Sequence, residues 1–114
     1  MCQYLDSACF MANVFAACRD RSSITFTVLR KVRDDVANRL ADQNVVIEWT
    51  RDSVMGALER YPNLFTSTGP EVTWLKSAED VETVTGSFDA KFSDAFRGEL
   101  RQAIHEVCKE VVAA

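Results

Sequence analysis

The chain has 114 residues, 47% of them hydrophobic and 26% charged, with a formal net charge of −4 and four cysteines. That length suits one domain, the composition excludes disorder and low complexity, and the acidic balance argues against a protein that grips nucleic acid by bulk charge. The longest apolar stretch, residues 8–18, is broken by Asn13 and falls well short of the roughly 20 residues that a membrane-spanning helix needs. No Lys or Arg precedes it and Asp6 does, which speaks against a secretory leader.

In chain order, residues 3–19 place Leu5, Ala8, Cys9, Ala12, Phe15 and Ala16 at three- and four-residue steps, the spacing of one helical face. After Ser22 and Ser23, the run Ile24-Thr25-Phe26 is a short extended segment. Residues 27–41 repeat Val28, Leu29, Val32, Val36 and Leu40 against a charged opposite side, which predicts a second helix. Asp42-Gln43-Asn44 is a turn, and residues 45–49 form a β-prone connector ending at Trp49. Thr50 occupies an N-cap position ahead of Val54, Ala57, Leu58 and Tyr61, a third helix that stops at Pro62. Residues 64–68 and 71–76 alternate on either side of Gly69-Pro70, the best hairpin signal in the chain. An acidic linker is expected over 77–86. A single amphipathic helix is expected over 87–112, capped by Ser87, with Phe88, Phe92, Phe96, Leu100 and Ile104 on one stripe.

Cys2 and Cys9 lie seven apart, about 10 Å along a helix and beyond the reach of a disulfide; Cys9 and Cys18 point to opposite faces. The cysteines therefore read as reduced thiols packed as small hydrophobes in a cytoplasmic or nuclear compartment, with a long-range link from the first helix to Cys108 left open. His105 and Cys108 have metal-ligand spacing but no evident partners. No nucleophile-base pair, Gly-rich phosphate loop or isolated carboxylate pair stands out, so no catalytic residue, metal, cofactor or small-molecule substrate is expected.

The fold class expected is α+β: a winged helix-turn-helix of three helices and a β-hairpin wing over residues 3–76, then the linker and an added C-terminal helix, all in one domain spanning 1–114. The run from Ser53 through Pro62-Asn63-Leu64-Phe65, followed by Glu71-Val72-Thr73-Trp74-Leu75, resembles helix three and the wing of winged-helix domains. It is similar in particular to the RNA-associated LOTUS and La-type members over residues 24–76. The first helix lacks the La type's aromatic, Gln-containing pattern, and no La-type site residue carries over. The resemblance implies binding of DNA or RNA, as in transcription regulators and viral proteins of this class, with Arg30, Lys31, Arg33, Arg51, Met55, Arg60, Trp74 and Lys76 as the contact residues.

Residues 19–60 hold eight basic and seven acidic side chains, so any basic patch there is local. Gly56, inside the third helix, reads foremost as close helix packing and otherwise as close approach to a ligand. The phenylalanine stripe with Leu100 and Ile104 exceeds what a three-helix core covers; either it packs with the similarly apolar first helix as an enlarged core or, as expected here, it forms a homodimer interface at Phe88, Phe92, Phe96, Leu100 and Ile104. Two alternatives to nucleic-acid binding stand beside it: a protein-interaction module on the same fold, and a helical assembly factor.

Overall fold

The first helix, α1 (Ser7–Ala17), is apolar almost throughout, and such a helix must be enclosed on every side. A computed structural model, which describes residues 2–77 and 80–112, encloses it: every residue from Ser7 to Phe15 is buried. Around it pack α2 (Phe26–Arg39), α3 (Arg51–Arg60), α4 (Val81–Asp89) and α5 (Asp94–Val111). Two small sheets close the remaining sides, so the chain is mixed α+β with five described helices.

In the first sheet β1 (Gln3–Leu5) and β3 (Val45–Ile47) pair in parallel, Tyr4 opposite Val46, with Leu5 and Ile47 turned into the core. In the second, β5 (Glu71–Trp74) lies between β2 (Ser23–Thr25) and β4 (Phe65–Thr68), antiparallel to both. Its inner face presents Ile24, Phe65, Val72 and Trp74 to the core. At the β4–β5 turn Gly69 takes φ +60°, the left-handed conformation that a two-residue hairpin loop favours at its first position.

The starts of α1, α2 and α3 each have a local cause. Asp6 accepts from Cys9 N at 2.8 Å to cap α1, and Thr25 accepts from Val28 N at 3.1 Å to cap α2. Thr50 and Ser53 form a reciprocal box on α3, Thr50 Oγ1 accepting from Ser53 N at 3.0 Å and Ser53 Oγ from Thr50 N at 2.8 Å. Caps of this kind stabilise a helix by about 1 kcal/mol each.

Three expectations need correction. Residues 3–5 are strand rather than the start of the first helix, since the helix begins only after Asp6 caps it. The stretch expected as an acidic linker holds the first six residues of α4, while Ala78 and Glu79 lie outside the described residues. The single helix over 87–112 is two: the chain turns after Asp89, and Ser93 rather than Ser87 caps the second, accepting from Phe96 N at 3.2 Å. The physical reason is length, because 26 residues of continuous helix would span about 39 Å. The longest extent of the molecule is 35 Å. Folding back lets α4 cover one side of α1 while α5 covers another and packs on α2.

The turn also decides where the phenylalanine stripe goes. Phe92, Phe96, Leu100 and Ile104 are buried inside the chain's own core, and Phe88 is half-buried, edge-on to Tyr61 at 5.3 Å. The side chains expected as a dimer face are thus covered by α1 and α2 of the same molecule, with Tyr61 beside Phe88. Arg39 of α2 fastens the arrangement from outside, pairing with Glu106 and Glu110 of α5 at 2.8 Å each.

A Phe96→Ala substitution is expected to lower stability by about 3–5 kcal/mol, as a large core deletion does. Urea unfolding followed by circular dichroism checks this. A mutant that keeps the wild-type midpoint would place Phe96 outside the core.

Candidate nucleic-acid interface

A groove of about 690 Å³ runs between α2 and the start of α3, with Ser67 of β4 at its margin. Arg30 and Arg33 come from consecutive turns of α2; Arg51 and Met55 come from the first turns of α3, placed there by the Thr50 cap. Trp49 and Val54 line the floor from the positions flanking that cap, where apolar pairs fix the angle at which a chain enters a helix. Trp49 is held in turn by Phe10 of α1, edge-on at 5.7 Å.

The three guanidiniums are not equivalent. Arg33 is anchored, its Nε donating to the Ile47 carbonyl at 3.0 Å and its Nη1 to Asp34 Oδ1 at 3.0 Å. Arg30 and Arg51 have no ion-pair partner among the described residues. Asp34 is the one carboxylate lining the groove and it is engaged with Arg33, so the groove carries a local positive excess on an acidic chain. Met55, 46% exposed, adds a flexible apolar contact at the rim.

Of the eight expected contact residues, the structure brings together Arg30, Arg33, Arg51 and Met55. Lys31 is on α2 but paired with Asp35 at 3.1 Å and outside the groove lining. Arg60 is at the far end of α3, beside Asp6 and Glu48. Lys76 lies at the opposite end of the second sheet, near Arg19 and Arg21. Trp74 is a correction: it is 7% exposed and stacked on Phe15 at 5.8 Å, with Phe65 at 5.4 Å, so its ring belongs to the core. The strand alternation that exposes Thr73 buries Trp74. Sequence reasoning missed Trp49, Phe26 and Asp34 as groove residues; an aromatic immediately before an N-cap is the signal that points to Trp49.

Away from the groove, α1 carries a buried polar cluster. Asn13 Nδ2 donates to the Cys9 carbonyl at 2.9 Å and to Asp89 Oδ1 at 3.1 Å, and Cys9 Sγ donates to the same carboxylate oxygen at 3.4 Å. Asp89 is fully buried, and its Oδ2 has no hydrogen-bond partner among the described residues. Four cysteines are free, Cys2 exposed and Cys9, Cys18 and Cys108 buried. Among the described residues no group of three or more His, Cys, Asp or Glu side chains is arranged to hold a metal ion. His105 faces solvent while Cys108 faces the core, so their three-residue spacing does not converge. Nor is any described helix long and apolar enough to cross a membrane. Comparisons with protein-family models, curated proteins and solved structures find no match for this chain.

Burial, reinforced by the neighbouring Asp89 carboxylate, holds the Cys9 thiol far above its ordinary value of 9.0. The unfolded chain gives up that proton near pH 9 and the folded protein keeps it, so stability present below that pH declines as pH rises past it. Tyr4, raised by its hydrogen bond to Glu48, adds to the decline at higher pH. Urea midpoints measured from neutral to alkaline pH are expected to fall above pH 9, and Cys9→Ala is expected to flatten the fall.

Proposed function

We propose that this chain is a winged helix-turn-helix that binds nucleic acid, DNA or RNA, through the groove between α2 and α3. The observation that carries the reading is the convergence of Arg30, Arg33 and Arg51 on one groove, with Trp49 and Met55 between and beside them. Phosphate recognition favours guanidiniums, which offer forked donors and stay charged. An aromatic floor beside them suits sugar and base surfaces.

The architecture supports the reading. The order α1, β2, α2, α3, β4, β5, with β5 between β2 and β4, follows the order of a winged helix. In that reading α3 is the helix that meets the nucleic acid, the β4–β5 hairpin is the wing, and β1, β3, α4 and α5 are additions that enclose α1.

Gly56 of α3 is not among the residues that line the groove. A Cβ there would meet only Arg60 Nη2, at 3.9 Å, so close helix packing does not account for the glycine. Glycine inside a helix costs about 1 kcal/mol relative to alanine.

The binding site is small, and its salt dependence follows from that. Two or three phosphates neutralised predict a log–log slope of about −2 to −3 for a duplex, far shallower than for strongly basic readers. Anisotropy titrations of labelled duplex DNA, single-stranded DNA and RNA across a salt series measure it. Arg30→Glu combined with Arg51→Glu is expected to abolish binding, while Arg60→Glu with Lys76→Glu leaves it within about twofold, since rim charges outside a site contribute little. No binding by the wild-type chain at the lowest salt, or equal losses from both pairs, would overturn the reading and favour a protein-interaction module. Gly56→Ala is expected to stabilise the fold by roughly 0.5–1 kcal/mol and, lying outside the groove lining, to leave binding within about twofold.

A further inference from the structure

Trp74 carries a polar atom that the fold leaves unanswered. Its ring is stacked on Phe15 at 5.8 Å and edge-on to Phe65 at 5.4 Å, and its backbone N–H donates to the Ser22 carbonyl at 2.7 Å, so the indole is held in place. The residue is 7% exposed, and its Nε1–H is buried with no hydrogen-bond partner among the described residues. Native proteins rarely leave a buried donor without an acceptor, and such a group calls for an explanation.

A cavity of about 130 Å³ borders that ring where β5 ends. Arg21 and Ser22 reach it from just before β2, Lys76 from just after β5, and Arg19 from beyond the end of α1. Each of these side chains can donate a hydrogen bond, and no carboxylate lines the cavity. Arg19 is already committed, its Nε donating to the Ala16 carbonyl at 3.2 Å and its guanidinium pairing with Glu82, which offsets the negative end of α1. Arg21 and Lys76 have no ion-pair partner among the described residues. We propose that this cavity binds a small tetrahedral oxyanion of the phosphate class, with Arg21 and Lys76 supplying charge and the Trp74 indole N–H and Ser22 hydroxyl supplying neutral donors.

Size and charge select that class. At roughly 30 Å³ per water molecule, the space is too large for one water or one chloride and suits a group of four oxygens. Phosphate carries close to two negative charges at neutral pH, which two uncommitted cations match. Hydrogen bonds to a charged acceptor are about twice as strong as neutral ones, so an anion answers the indole N–H better than a water does. No residue lines both this cavity and the groove between α2 and α3, so the site does not rest on the nucleic-acid reading.

The test follows the indole N–H signals of Trp49 and Trp74 in nitrogen–proton correlation spectra of the full chain. Inorganic phosphate replaces chloride at constant ionic strength near neutral pH, and Trp74→Phe assigns the signals by deleting one of them. The expected result is a saturable movement of the Trp74 signal, with a rise in melting temperature that grows with phosphate concentration. Trp49 reports separately on any phosphate drawn to the groove. Arg21→Gln combined with Lys76→Gln is expected to weaken the response about tenfold or more, as is Trp74→Phe, read by the melting shift, because it keeps the ring and loses the donor. The glutamine pair changes exposed side chains alone and decides the matter even if Trp74→Phe folds poorly. A parallel titration with glycerol phosphate separates two sources: a response equal to that of inorganic phosphate assigns the site to a phosphate carried on a larger molecule, and a response to inorganic phosphate alone assigns it to the free ion. A Trp74 signal that stays fixed under phosphate, that moves equally with chloride, or that still responds in the glutamine pair would overturn the proposal and leave the cavity to water.

Discussion

A helix with no solvent face is the constraint from which the rest of this structure follows. α1 buries Ser7 through Phe15 on all sides, so four helices and two small sheets are needed to surround it. Its two buried polar side chains then specify where neighbours sit, because each must find a hydrogen-bond partner inside the core. Ser7 Oγ donates to the Glu48 carbonyl at 2.8 Å and stands 2.8 Å from Ser53 Oγ, which fixes the start of α3 against the start of α1. Asn13 reaches Asp89 and fixes the end of α4 in the same way. Apolar burial supplies the driving force, and these two polar positions supply the register.

The groove inherits its position from that arrangement. Because Ser7 anchors the cap of α3, and Phe10 holds Trp49, the floor of the groove is continuous with the core of the protein. Arg33 reaches across from α2 to the Ile47 carbonyl and ties the opposite wall to β3. Side chains held in this way do not have to be ordered again when a ligand arrives, which favours binding by a site with few charges. The chain's net negative charge is compatible with the proposed phosphate contact, since at short range the local field of Arg30 and Arg51 dominates while the distant carboxylates are screened.

Much of the middle of the chain was legible in its residues. Thr50 as a cap, Pro62 as a stop, and Gly69-Pro70 as a hairpin turn are local signals, and local chemistry decides those features. Arg30, Arg33, Arg51 and Met55 were named through the winged-helix resemblance, but so were Lys31, Arg60, Trp74 and Lys76, which lie outside the groove lining. What stayed hidden depends on contacts distant in sequence. The stripe of Phe88, Phe92 and Phe96 is compatible with one long helix or two short ones, and only the size of the core and the pull of Asn13 on Asp89 choose between them. Trp74 reads equally well as a wing aromatic or a core aromatic until Phe15 is placed beside it. The parallel pairing of residues 3–5 with 45–47 leaves no mark in either segment, since a three-residue strand is too short to show a period.

The enclosure of α1 has a consequence for how the chain is born. α1 leaves the ribosome well before α4 and α5, which cover two of its sides. Throughout translation the most oily part of the polypeptide waits without its lid, and the parallel partner of β1 emerges about forty residues behind it, so neither can settle early. Until α4 and α5 follow, that apolar surface stays open to aggregation.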